Sequence, residues 1–172
     1  MGDSASPEPE SAWLNPTWER VGNVCSFSFV ALGKPVPKAR PRTVRNKKTG
    51  IVQTFTPDTT VNWEQSIGWQ VRQALAWVVA HHPGELEVPW AGRIMCTMRF
   101  NVRRPASTPK KVLYPLKGAD VDNLIKSVLD ALQNVNLIDD DKTVSDVSAC
   151  KRFEEDGHPE GVEVELTAWL AK

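Results

Sequence analysis

Residues 119–134, ADVDNLIKSVLDALQN, constrain this chain more than any other segment. Leu124, Ile125, Val128, Leu129 and Leu132 recur at helical spacing and form one apolar face, with Asp120 or Asp122 at the N-cap. A helix that is apolar on one side must bury that side against a second layer. Strand patterns elsewhere supply the layer. CSFSFVAL alternates around Phe27 and Phe29, and IVQTFTP (51–57), GRIMCTMRFNV (92–102), TVSDVSACKRF (143–153) and GVEVELTAWL (161–170) are further strand signals. Trp63, Ile67, Val71, Ala74, Leu75 and Val78 mark a second helix that opens after Pro57-Asp58, with Thr60 as a candidate cap, and runs to His81. The order β-β-α-β-α-β-β predicts an α+β fold, a mixed sheet of about five strands with two main helices packed on it.

The remaining sequence narrows the class by exclusion. A hydrophobic fraction of 41% rules out wholesale disorder. No run of about 18 apolar residues exists, so no membrane span is expected. The start MGDSASPEPESAW has neither a basic nor an apolar leader region, so no secretory signal is expected. Residues 1–20, rich in Ser, Pro, Glu and Asp, predict a flexible or surface-docked extension that Trp13 and Trp18 can pin to a domain spanning 21–172. Cys25, Cys96 and Cys150 have no CxxC or Cys/His spacing, which argues for small buried hydrophobes rather than zinc or disulfides. His81, His82 and His158 sit beside Pro or Gly in loops and suggest no catalytic role.

With 21 Lys plus Arg against 21 Asp plus Glu, the net charge is +0, which taken whole argues against a polyanionic partner. The charges are segregated, however. Lys34, Lys38, Arg40, Arg42, Arg45, Lys47 and Lys48 lie between Gly33 and Gly50 with no acid among them. Arg103, Arg104, Lys110, Lys111 and Lys117 form a second basic stretch before the DVDN helix. The prolines of KPVPKARPR stiffen the first stretch and lower the entropy of presenting its charges, as a phosphate clamp requires.

Asp120 and Asp122 are two residues apart on the approach to the helix, so both carboxylates can face one cation. Lys126 stands one turn beyond Asp122 on the same face. The loop QNVNLIDDD can return a third carboxylate from Asp139-Asp140-Asp141. Hard oxygen donors suit Mg²⁺ or Mn²⁺, which activate water and offset charge on a phosphodiester under attack. A DxD pair alone is common and serves equally as a helix cap. Combined with Lys126, the downstream Asp cluster and two basic loops, a metal-dependent site is the better reading.

FVALGKPVPKARPR, TFTPDTTVNWEQSI and above all ADVDNLIKSVLDALQNVNLIDDDKTV resemble the RusA family of Holliday junction resolvases, over roughly residues 24–170. The resemblance implies a RusA-like α/β subunit working as a homodimer in the bacterial cytoplasm, encoded by host or phage. It implies paired symmetric nicks in four-way DNA junctions during recombination and repair, with Mg²⁺ or Mn²⁺ as cofactor. Position by position, the family's paired aspartates fall on Asp120 and Asp122, its lysine on Lys126 and its third aspartate on Asp141, with Asp140 as fallback. Asn123 also matches the motif as a polar contact, and Asp130 as a supporting residue. The basic residues from Lys34 to Lys48 are the expected DNA contacts. GRIMCTMRFNV is either core or an element of the dimer interface. The tryptophans are expected mostly in the core, with any exposed one available to stack on unpaired bases. Alternatives within the same residue pattern are a nuclease acting on other branched DNA and a junction binder that does not cleave.

Overall fold

The computed structural model describes residues 15–45, 47–155 and 157–170. The elements are β1 (Thr17–Val21), β2 (Val24–Leu32), β3 (Arg42–Arg45), β4 (Val52–Phe55), α1 (Asp58–His81), β5 (Arg93–Val102), α2 (Val121–Asn134), β6 (Val144–Phe153) and β7 (Gly161–Trp169). Five strands form one sheet in the order β1-β2-β7-β5-β6, and β3 pairs with β4 as a separate hairpin. All neighbours in the large sheet are antiparallel except β5 and β6. A parallel pair needs a crossover connection, and the segment carrying α2 is that connection. The expected α+β architecture, a mixed five-stranded sheet with two helices, is therefore present, but its fifth strand is β1 rather than the expected strand at 51–57, which pairs with β3 outside the sheet.

Alternation along the strands decides which face the helices cover. Phe27, Phe29 and Ala31 of β2, Ile94, Cys96, Met98 and Phe100 of β5, and Val162, Val164, Leu166 and Ala168 of β7 are all buried. They meet Leu124, Val128, Leu129 and Leu132 of α2 and Trp63, Ile67, Val71 and Val78 of α1 in one cluster. Each fully buried Leu or Val contributes roughly 1.5–3 kcal/mol relative to exposure. The opposite face carries polar ladders such as Arg99–Glu165 at 2.6 Å and Arg152–Glu163 at 2.6 Å. One helical layer is thus sufficient. The two helices also touch each other closely, because a Cβ on Gly68 of α1 would lie 2.9 Å from Val135 Cγ1 at the end of α2.

Several expectations change in detail. The boundary near residue 20 falls inside β1, which pairs with β2 from Thr17 to Val21 as an edge strand. Trp18 pins this strand: it is buried, lies 6.1 Å from the Trp90 ring, and donates from Nε1 to Glu85 at 2.9 Å. Trp13 lies outside the described residues. Thr60 does not cap α1; Pro57 is the N-cap, and the buried Thr60 hydroxyl donates to the Pro37 carbonyl at 3.4 Å. GRIMCTMRFNV is a central strand, and its buried alternate residues make it core. Trp63 and Trp90 are buried, whereas Trp69 is exposed. Cys25 and Cys96 are buried as expected, and burial pushes the Cys96 thiol up to about 12, while Cys150 is exposed.

Candidate active site

Asp120 is the N-cap of α2 in extended geometry, but its side chain makes no capping hydrogen bond. Asp122 lies in the first turn. Both are exposed, and among the described residues neither carboxylate has a hydrogen-bond or ion-pair partner. The helix N-terminus stabilises negative charge there without neutralising it. The chain entering the helix is anchored from the sheet, where Lys151 of β6 donates from Nζ to the Ala119 carbonyl at 2.7 Å. The pair is thus held by backbone constraints and left open on the solvent side.

Lys126 projects one turn further along. Its ammonium pairs with Asp141 through Oδ2 in a very short contact, and with Asp130 Oδ1 at 3.2 Å. The hydrogen bond to Asp141 leads, and with that to Asp130 it outweighs partial desolvation, holding Lys126 above the ordinary lysine range. Lys126 therefore carries its charge at neutral pH.

The third carboxylate reaches this point because the returning loop is stitched into the core. Asn136 turns the chain at φ 61°, a left-handed conformation that Asn tolerates. Leu137 and Ile138 are fully buried, and Trp90 brackets them: its N–H donates to Leu137 O at 2.8 Å and its carbonyl accepts from Asp139 N–H at 3.1 Å. The three aspartates that follow have different surroundings. Asp139 is exposed. Asp140 caps the single 3-10 turn Asp141–Thr143, accepting from the Lys142 N–H at 3.0 Å and pairing with the Lys142 ammonium at 2.9 Å. The Lys142 contacts lower the Asp140 pKa. Asp141 alone of the three meets Lys126.

The basic stretches divide in the same way. Lys34, Arg40, Arg45, Lys47 and Lys48 are exposed on the β3–β4 excursion and its approach, and the Arg42 side chain lies outside the described set. Lys38 departs from expectation. Its ammonium turns inward to Glu64 Oε1 at 2.8 Å and Asp130 Oδ2 at 2.7 Å. Its N–H donates to the Asn123 carbonyl at 2.8 Å, so Asn123 clasps the loop through its backbone. In the second stretch, Arg103, Lys110, Lys111 and Lys117 are exposed, whereas Arg104 stacks 4.0 Å over the Phe153 ring and donates to Val112 O at 2.9 Å. The two stretches wall a groove of about 1330 Å³ whose lining includes Lys34, Arg103, Lys117, Ala119 and Leu124.

Glu64 and Lys151 carried no signal in the sequence, because isolated charges on a helix or strand are ordinary. Only the fold brings them to the DVDN segment.

The family model of endodeoxyribonuclease RusA matches residues 33–167. The chain belongs to the RusA family. The match begins at Gly33, ahead of the basic loop, and runs through both helices into β7, so all the residues above lie within it. The RusA family consists of endodeoxyribonucleases of the Holliday-junction-resolvase type that act on branched DNA, and the fold described here is consistent with it. The chain is also similar to the uncharacterized protein YqaN of Bacillus subtilis (strain 168), 26% identical over 143 residues that cover 83% of this chain and 98% of that protein. Among the described residues no helix is long and apolar enough to cross a membrane.

Proposed function

We propose that this RusA protein is a Mg²⁺-dependent resolvase that makes paired symmetric nicks in four-way DNA junctions in the bacterial cytoplasm, acting as a homodimer. The observation that carries the reading is the pair of unpartnered carboxylates, Asp120 and Asp122, one turn from an ammonium that bridges to Asp141. A two-fold substrate with two scissile phosphates is matched by two copies of such a site on a two-fold protein.

The donor set fits the cation. Three carboxylates are hard oxygen ligands by chemistry, but among the described residues no three Asp, Glu, His or Cys side chains stand close enough together to hold a metal, and Asp141 is turned to Lys126 instead. Mg²⁺ commonly takes one or two carboxylates and keeps waters and substrate oxygens for the rest. Asp120, Asp122 and Asp141 would hold it, and Mn²⁺ can replace it. The bound ion supplies Lewis-acid stabilisation of the phosphodiester and a more acidic water. The protein's own groups do the remainder. Lys126 places a permanent positive charge beside the carboxylates, suited to stabilising charge that develops on the scissile phosphate or the leaving oxygen. The basic stretches flanking the groove hold the backbone of the arms.

The test is a labelled synthetic four-way junction with Mg²⁺, run beside linear duplex and a flap. Symmetric nicks on the junction alone are expected. Binding with no nicking of any substrate overturns the enzymatic reading, and equal cutting of the flap redirects it to branched DNA in general. Replacing Lys34, Arg40 and Lys47 together by Ala should lower the slope of log K against log salt by about 2–3, since each lost phosphate contact removes about 0.9. An unchanged slope would remove this loop from the DNA interface.

A further inference from the structure

The inward turn of Lys38 leaves that residue without the phosphate-binding role its neighbours suggest. Its side chain closes a chain of alternating charges, Glu64–Lys38–Asp130–Lys126–Asp141, that runs from α1 through α2 to the 3-10 turn. Asp130 is the shared member. Its Oδ2 takes Lys38 at 2.7 Å and its Oδ1 takes Lys126 at 3.2 Å. Both inner carboxylates are largely withdrawn from water, with Glu64 at 11% and Asp130 at 17% side-chain exposure. Lys38 is fixed at its other end too, through its N–H to Asn123 O and the Thr60 hydroxyl on Pro37 O.

We infer that Lys38 is a positioning residue for Lys126, and that it ties the basic loop to the catalytic helix. This rests on the proposed role of Lys126. The chain holds three carboxylates and two ammonium groups. Taking Lys38 away leaves the largely buried Glu64 and Asp130 without their shared cation, and the ammonium already in contact with Asp130 is Lys126. Attraction in partly desolvated surroundings is strong compared with water. Lys126 then moves towards Asp130 and Glu64 and away from Asp141. With Lys38 present, one oxygen of Asp130 is already satisfied, and Lys126 is free to lean on Asp141. Because the same residue is hydrogen-bonded into the loop that carries Lys34 and Arg40, displacement of the loop reaches Lys126 through two side chains, Lys38 and Asp130.

The experiment is Lys38→Met in the full-length protein, with Lys38→Met/Glu64→Gln as the charge-balanced companion should the single variant fold poorly. Junction affinity without Mg²⁺ should stay within about twofold and the salt slope should not change, because Lys38 touches no phosphate. Single-turnover nicking at saturating junction should fall roughly 10- to 100-fold, the usual effect of removing a group that orients a reactive one. The companion should recover most of that loss, since it restores the charge of the cluster. A crystal structure of the variant should show the Lys126 ammonium withdrawn from Asp141. That last readout does not depend on nicking, so failure of the parent protein to cut branched DNA would count against the proposed function alone. A slope lowered by about 0.9 with nicking of the bound junction intact makes Lys38 a phosphate contact and overturns the inference. So does a Lys126–Asp141 pair unchanged in Lys38→Met, or a folded double variant in which neither the pair nor the nicking rate is recovered.

Discussion

Asp122→Asn is expected to lower junction nicking on the order of 10³-fold or more while junction binding persists. The substitution is nearly isosteric and keeps an oxygen, but it removes one of the two negative charges at the start of α2. A hard divalent cation is held chiefly by charge, so losing a charged ligand costs several kcal/mol of transition-state stabilisation, and about 1.4 kcal/mol is a factor of ten in rate. Binding should be unchanged or slightly tighter, because a negative group is removed from a surface that meets phosphates. Asp122 is exposed and has no side-chain partner within the described protein, so the fold loses only the helix-terminus stabilisation of its charge, about 1 kcal/mol at most. The useful comparison is Asp140→Asn, since Asp140 is engaged by Lys142 and makes no contact with Lys126. Gel mobility for binding and single-turnover cleavage of the same labelled junction separate the outcomes. Less than about tenfold loss on Asp122→Asn would take this residue out of the metal site.

Lys126→Ala should lower the nicking rate roughly 10²- to 10³-fold, the range found when one preorganised stabilising donor is removed from an active site. The comparison must be made at saturating junction, where the loss of a charge near phosphates does not register as weaker binding. Lys126→Arg should restore little. A guanidinium is a planar fork that prefers two parallel hydrogen bonds, whereas the ammonium here divides itself between Asp130 on its own helix and Asp141 on the returning loop. A rate within about tenfold of the parent for Lys126→Ala would leave the ammonium with a structural role only.

Much of the fold was legible because its signals are local. The helical periods over 58–81 and 121–134, and the alternation in β2, β5, β6 and β7, follow from spacing that any short window shows. What escaped was of two kinds. TWERV in β1 is short, with a single buried residue, Trp18, and its strand character comes from pairing with β2. RTVR in β3 is half arginine, and only its register with β4 makes it a strand. Edge strands and exposed hairpins bury too little to leave a pattern.

The same division runs through the site. By itself the sequence determined that Asp120, Asp122 and Lys126 share one end of one helix, since two- and four-residue spacings translate directly into faces. It also determined that oppositely charged blocks are kept apart, and the DVDN signature with its downstream aspartates carried the RusA likeness. It did not determine which of Asp139, Asp140 and Asp141 reaches Lys126, nor that Lys38 points inward while Lys34 and Arg40 point out. Those are settled by burial at a distance. Leu137 and Ile138 lock beneath Trp90 and aim Asp141, while Asn123 and Glu64, far from residue 38 along the chain, draw Lys38 in. Spacing along the chain places groups that share an element; only packing between elements decides which groups from different elements meet.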